Sequence, residues 1–93
     1  MNTFTALADP TRRRILEMLA ESDLAAGQIA DRFDMTAAAV SQHLKALKEA
    51  GLVTVRAEAQ RRIYKLSPEG FAEPAEWLDR TRGAGRALAN GHA

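Results

Sequence analysis

The sequence contains no cysteine, which excludes a disulfide framework, a zinc ribbon and thiol redox chemistry. Aromatic residues are few: one Trp, one Tyr and three Phe. No apolar run approaches the ~18 residues of a membrane span. Met1-Asn2-Thr3-Phe4 lacks the basic and apolar regions of a secretory signal. The expectation is a cytoplasmic protein with no membrane partner. There is no glycine-rich phosphate loop, and a lone His43 gives no enzyme signature. At 93 residues the chain allows one domain. A lone chain of that size buries only about 60–65% of its unfolded surface, so a partner subunit would relieve a thin core.

Net charge is +1, but it is unevenly spread. Residues 1–35 carry four Arg against six acids, and residues 67–93 three Arg against four acids. Between them, Lys45, Lys48, Arg56, Arg61, Arg62 and Lys65 face only Glu49 and Glu58. One basic third within a mildly acidic chain fits an edge that meets a polyanion, or a solvated face with an excess of cations.

Asp9-Pro10 signals a helix start, Asp accepting from free N–H groups and Pro suiting the first helical position. Ile15, Leu16, Leu19 and Ala20 then recur at helical spacing. Phe4 to Ala8 reads as a short apolar helix or cap before it. A second helix spans about 26–33, with Ile29, Ala30 and Phe33 as its stripe and no capping side chain at its start. Thr36 caps a third helix, which opens on Ala37 to Ala39 and ends at Ala50-Gly51. Leu52–Arg56 and Arg62–Leu66 are β-branched or aromatic runs five residues apart, the pattern of a β-hairpin. Ser67-Pro68-Glu69 starts another helix, in which Pro74 predicts a break or kink. From Gly83 the composition predicts a flexible tail, leaving residues 1–82 as the folded domain. The expected class is mainly α with a small hairpin, in the order α-α-α-α-β-β-α.

On the helix at 37–50, Leu44 and Leu47 fall within about 40° of Val40 and form its core stripe. Ala38, Ser41, Gln42, Lys45 and Glu49 lie on the far side, between about 100° and 200°. That outer face is small, then hydrogen-bonding, then cationic. A helix entering a major groove needs such a surface: alanine permits close approach, Gln pairs with adenine N6/N7, and Ser or Lys reaches bases or phosphates. An ordinary surface helix would also be polar there, but a basic hairpin follows at once. Arg61 and Arg62 stand at its tip and Arg56 and Lys65 on its arms, suited to phosphate or minor-groove contacts. His43 lies about 60° off the core stripe, where either a buried-edge hydrogen bond or a phosphate contact fits. Double-stranded DNA is the expected partner. A winged-helix module that binds protein and not specific DNA is the alternative.

Three ordered motifs carry a family resemblance: Leu7-Ala8-Asp9-Pro10-Thr11-Arg12-Arg13-Arg14-Ile15-Leu16, Val40-Ser41-Gln42-His43-Leu44-Lys45-Ala46-Leu47 and Glu49-Ala50-Gly51-Leu52-Val53. Over about residues 4–80 the chain resembles the ArsR/SmtB family of bacterial repressors. The resemblance implies a winged helix-turn-helix homodimer that pairs its first and last helices and binds imperfectly palindromic operators. It implies Thr36, Ala38, Ser41 and Gln42 at the major groove, Lys45 toward phosphates, and Arg61 and Arg62 at the wing tip. Two departures stand out. Ala37 and Ala38 replace the Gln and Pro that relatives often carry after the cap, which shifts discrimination toward Gln42, thymine-methyl contacts and DNA shape. Ala59-Gln60 replaces the usual wing-tip glycine.

Many relatives sense metals through Cys pairs before the recognition helix or Asp/His sets on the last helix. Here the first place reads Leu24-Ala25-Ala26-Gly27, and the last helix offers Glu76 and Asp79 without a nearby His. His43 and His92 lie far apart in sequence, so no metal and no cofactor are expected. A small-molecule or protein effector is left open. Phe4, Leu7, Phe71, Trp77 and Leu78 read either as core or as a dimer interface built from the chain's two ends.

Overall fold

A computed structural model describes residues 1–91, and the side chains of residues 1–85. The elements are α1 (Thr3–Ala8), α2 (Pro10–Glu21), β1 (Leu24–Ala25), α3 (Ala26–Ala30), α4 (Ala37–Glu49), β2 (Val53–Glu58), β3 (Arg61–Leu66), a 3₁₀ turn (Pro68–Phe71) and α5 (Ala72–Gly91). The order is the expected one with a two-residue strand added. β1 joins the hairpin as an outer strand, giving an antiparallel sheet in the order β1-β3-β2. Leu24 lies opposite Tyr64, and Ala25 opposite Ile63.

α1 is too short to be stable alone, and its neighbour holds it. Arg12 donates from Nε to the Ala6 carbonyl (2.8 Å) and from Nη2 to Thr5 (3.1 Å). Arg13 donates from Nη1 to the Leu7 (2.8 Å) and Ala8 (3.1 Å) carbonyls. The last four carbonyls of α1, which have no intrahelical donors, are thus all answered by α2. The Asp9 side chain accepts from the Arg12 N–H at 2.9 Å, and Pro10 occupies the first helical position. α3 is shorter than predicted and ends at Ala30. Gln28 supplies the missing cap from inside the helix, its Oε1 accepting from the Ala25 N–H at 2.8 Å.

α4 begins at the expected cap: Thr36 Oγ1 accepts from the Ala39 N–H at 3.1 Å. It ends in a Schellman motif. Gly51 is left-handed at φ 78°, its N–H donates to Lys48, and the Leu52 N–H donates to Leu47. Val40, Leu44 and Leu47 are buried, together with Ile15, Leu19, Leu24, Ile29, Leu52, Val53 and Tyr64 in one core.

The chain then doubles back. The Ser67 N–H donates to the Leu52 carbonyl at 2.9 Å, and Gly70 lies against Gly51 so closely that a Cβ there would strike the Gly51 carbonyl. Ser67 makes no side-chain cap; its hydroxyl bonds Glu69 instead. Two expectations fail on α5. Pro74 causes no break, because it sits in the helix's first turn, where its missing N–H would have no intrahelical partner. Nor does the helix stop at Gly83: it runs to Gly91. Each glycine costs about 1 kcal/mol relative to Ala, but Ala84, Arg86, Ala87, Leu88 and Ala89 are good helix formers extending an existing helix. His92 lies outside the described residues.

Candidate nucleic-acid interface

The side chains of Thr36, Ala38, Ser41, Gln42 and Lys45 are all exposed. Thr36 uses its hydroxyl as the cap, so the start of α4 presents small surfaces and backbone. Further along, Ser41, Gln42, Lys45 and Lys48 form one wall of a groove whose other wall is the hairpin, through Val55, Arg62 and Tyr64.

Register decides which basic residues reach that groove. Directly opposed residues of an antiparallel pair share a face, and successive residues alternate. Val53–Leu66, Val55–Tyr64 and Ala57–Arg62 therefore share the face toward α4, and Thr54–Lys65, Arg56–Ile63 and Glu58–Arg61 the reverse. Arg62 lines the groove with α4, while Arg61, its neighbour in sequence, begins on the other face.

Arg56 is drawn away as well. Its guanidinium pairs with Asp23 at 3.1 Å and with Glu58 at 3.3 Å, and these carboxylates, Asp23 first, push its pKa further up. The sheet face explains the pairing: Asp23 immediately precedes Leu24, so it falls on the side of Ala25, Ile63 and Arg56. Sequence reasoning grouped Arg56 with the wing cations because it could not see Asp23 beside the hairpin.

His43 is half-buried. Its Nδ1 lies 3.9 Å from the Asp9 carboxylate, which links α4 to the cap of α2. The Asp9 carboxyl is held below the usual carboxylate range, first by the Arg12 N–H it accepts and also by the charges of Arg12 and His43. At 3.9 Å the His43–Asp9 contact is at ion-pair distance and is not a hydrogen bond.

Lys48 was missed. It sits about 80° from Val40, just outside the arc taken as the outer face, and only the position of the hairpin makes that flank part of the groove. Among the described residues, Lys45, Lys48 and Arg62 form no ion pair, whereas Arg56, Arg80 and Arg82 do.

At the opposite end, Phe4 and Trp77 meet edge to face with centroids 5.9 Å apart. Phe4 (39%), Trp77 (46%) and Leu78 (57%) are nonetheless exposed. Leu7 and Phe71 instead pack, half-buried, against the chain's own core. Every described side chain from Ala75 to Gly85 is exposed. Among the described residues no three His, Asp or Glu side chains converge, and no helix is long and apolar enough to cross a membrane.

Residues 9–55 match the family model described as bacterial regulatory protein, arsR family. The chain is 51% identical over 75 residues to the HTH-type transcriptional regulator Rv2034 of Mycobacterium tuberculosis, covering 81% of this chain and 70% of that protein. It is 35% identical over 77 residues to the transcriptional repressor SdpR of Bacillus subtilis, covering 83% and 86%. A crystal structure described as a possible transcriptional regulator for arsenical resistance superposes with a TM-score of 0.83 at 33% identity, covering 98% of this chain and 97% of that one.

Proposed function

The chain belongs to the arsR family of bacterial regulatory proteins and is a winged-helix, DNA-binding transcriptional regulator, and from that premise we propose that it acts as a homodimeric repressor, in the cytoplasm, without metal sensing and without catalysis. One observation carries the DNA geometry: α4 presents a small, exposed N-terminal face that continues into a groove lined by cations with no carboxylate among them. Each α4 enters a major groove, and the half-sites lie about one helical turn apart. Ala38 and Ser41 lie close to the base edges, and Gln42 pairs with adenine. Thr36, Lys45, Arg61 and Arg62 hold the backbone, while His43 braces α4 against Asp9. Arg56 stays with its carboxylates.

The exposed Phe4, Trp77 and Leu78 support pairing through α1 and α5, since a second copy would cover what this chain leaves in water. The donor set supports metal independence. Glu76 and Asp79 already pair with Arg80 and Arg82, and residues 24–27 carry no side-chain ligand. An effector, small molecule or protein, has no assigned site.

The test is a binding titration against the promoter region of its own gene at two salt concentrations, with sedimentation to count subunits. Arg62→Ala should weaken binding to every sequence and lower the salt slope by about 0.9, one phosphate's worth. Gln42→Ala should narrow the gap between operator and random duplex by about 1–3 kcal/mol. Equal losses on all sequences from both variants would overturn this division of labour. A complex that random competitor removes as easily as promoter DNA would favour the protein-interaction module.

A further inference from the structure

The hydroxyl of Tyr64 takes no part in the DNA contacts proposed for α4 and the wing. The residue is only 8% exposed, and its ring belongs to the core. A buried tyrosine ordinarily finds a partner for its O–H. Among the described residues this one makes no hydrogen bond, yet no buried polar side-chain atom is left without a partner. The hydroxyl therefore opens to solvent, and Tyr64 lines the groove between α4 and the hairpin. Around it stand the Ser41 hydroxyl, the Lys45 and Lys48 ammonium groups and the Arg62 guanidinium, and no carboxylate lines the groove. The Tyr64 hydroxyl among three cations suits a tetrahedral oxyanion, since hydrogen bonds to a charged acceptor are the strong ones.

We infer that this groove seats one phosphodiester of the bound duplex, with Tyr64 Oη–H donating to one of its oxygens while Lys48 and Arg62 neutralise it from opposite walls. The inference rests on the DNA-binding reading of the same face and adds two residues to it, Tyr64 and Lys48. Arg62, and not Arg61, is the wing-tip arginine that the register brings into the groove. A phosphate held between helix and wing fixes the angle at which α4 enters the major groove, so the seat sets affinity on every sequence alike.

The experiment measures duplex binding by fluorescence anisotropy over a range of salt for the wild type, Tyr64→Phe and Lys48→Gln. Tyr64→Phe keeps the ring and removes a hydroxyl that has no protein partner. It should leave thermal unfolding unchanged and weaken binding about tenfold on operator and random duplex alike. Lys48→Gln, on an exposed helix face, should reduce the salt slope by about 0.9. If the wild type binds and both variants bind as it does, with the same slope, the seat is refuted while the DNA reading survives. A wild type that binds no duplex refutes the DNA reading itself. A separate arm titrates inorganic phosphate into the DNA-free protein at matched ionic strength and follows the Tyr64 ring resonances. They should stay in place at millimolar phosphate, because a lone ion lacks the many-point attachment of a duplex. Saturable shifts together with wild-type DNA affinity for Tyr64→Phe would assign the groove to a free anion and overturn the proposal.

Discussion

Around α4 and the hairpin, Lys45, Lys48 and Arg62 line a groove without a carboxylate, whereas on α5 Arg80 and Arg82 pair with Glu76 and Asp79 at 3.2 and 2.9 Å. The first end keeps cations available and exposes little apolar surface. The second end neutralises its own charge and exposes Phe4, Trp77 and Leu78. Exposed pairs of this kind contribute little stability, but they leave α5 without a net field to repel a second copy. Under the function proposed above, one end loses water by releasing counterions to a polyanion and the other by burying hydrocarbon in a second copy. Between them run two joints: Asp9, which caps α2 and faces His43, and Gly70, which lets the turn before α5 settle on the end of α4.

The sharpest way to break that arrangement is at the second joint. Gly70→Ala places a Cβ against the Gly51 carbonyl, with the Leu52 Cα next nearest at 3.1 Å. Backbone and not a flexible side chain must give way, at the same point where Gly51 holds its left-handed turn. The expected cost is about 3 kcal/mol, a fall in melting temperature of roughly 12–24 °C. Calorimetry checks it; a melt within about 2 °C of wild type would mean the turn and α4 are not rigidly coupled.

A second variant acts on the apolar end alone. Leu78 is 57% exposed, so Leu78→Glu should change the stability of the single chain by no more than about 0.5 kcal/mol. It puts a charge where a second copy would bury hydrocarbon. Sedimentation should show a monomer, and operator affinity should drop about 100-fold or more, because two linked half-site contacts become one. An intact dimer, or a monomer that binds the operator as well as wild type, would remove the distinction drawn between the two ends.

The ends also differ in how legible they were in the sequence. α4 could be read residue by residue: Thr36 caps it, Val40, Leu44 and Leu47 mark its buried stripe, and Gly51 stops it. The hairpin was equally visible, but its faces were not. Alternation says that Arg61 and Arg62 diverge, and only the packing of Val55 and Tyr64 says which of them turns toward α4. Lys48 and Tyr64 escaped for the same reason, since the groove belongs to two elements and a helical wheel describes one. β1 is two residues long and leaves no periodic trace. Nothing local in the sequence shows that α1 folds back to offer its carbonyls to Arg12 and Arg13. At the far end, Gly83 and Gly85 mimicked a helix stop, and the alanines around them outweighed the signal.

The smallest expected effect concerns the wing tip, and it runs toward greater stability. Ala59 sits at φ 57°, with Glu58 opposite Arg61, so Ala59-Gln60 is a two-residue loop whose first residue alone is left-handed. That is the pattern of a II′ hairpin turn, where glycine is the usual occupant. An L-residue there costs roughly 1–2 kcal/mol, while glycine gives back roughly 0.5–1 kcal/mol through the greater freedom of its unfolded chain. Ala59→Gly should therefore stabilise by about 0.5 kcal/mol, a rise of roughly 2–4 °C in melting temperature. Arg61 and Arg62 keep their register, so the salt slope of DNA binding should not move. A lower melting temperature would show that the left-handed alanine carries no strain. A changed slope would show that the tip, and not the groove beneath it, sets how many phosphates the wing engages.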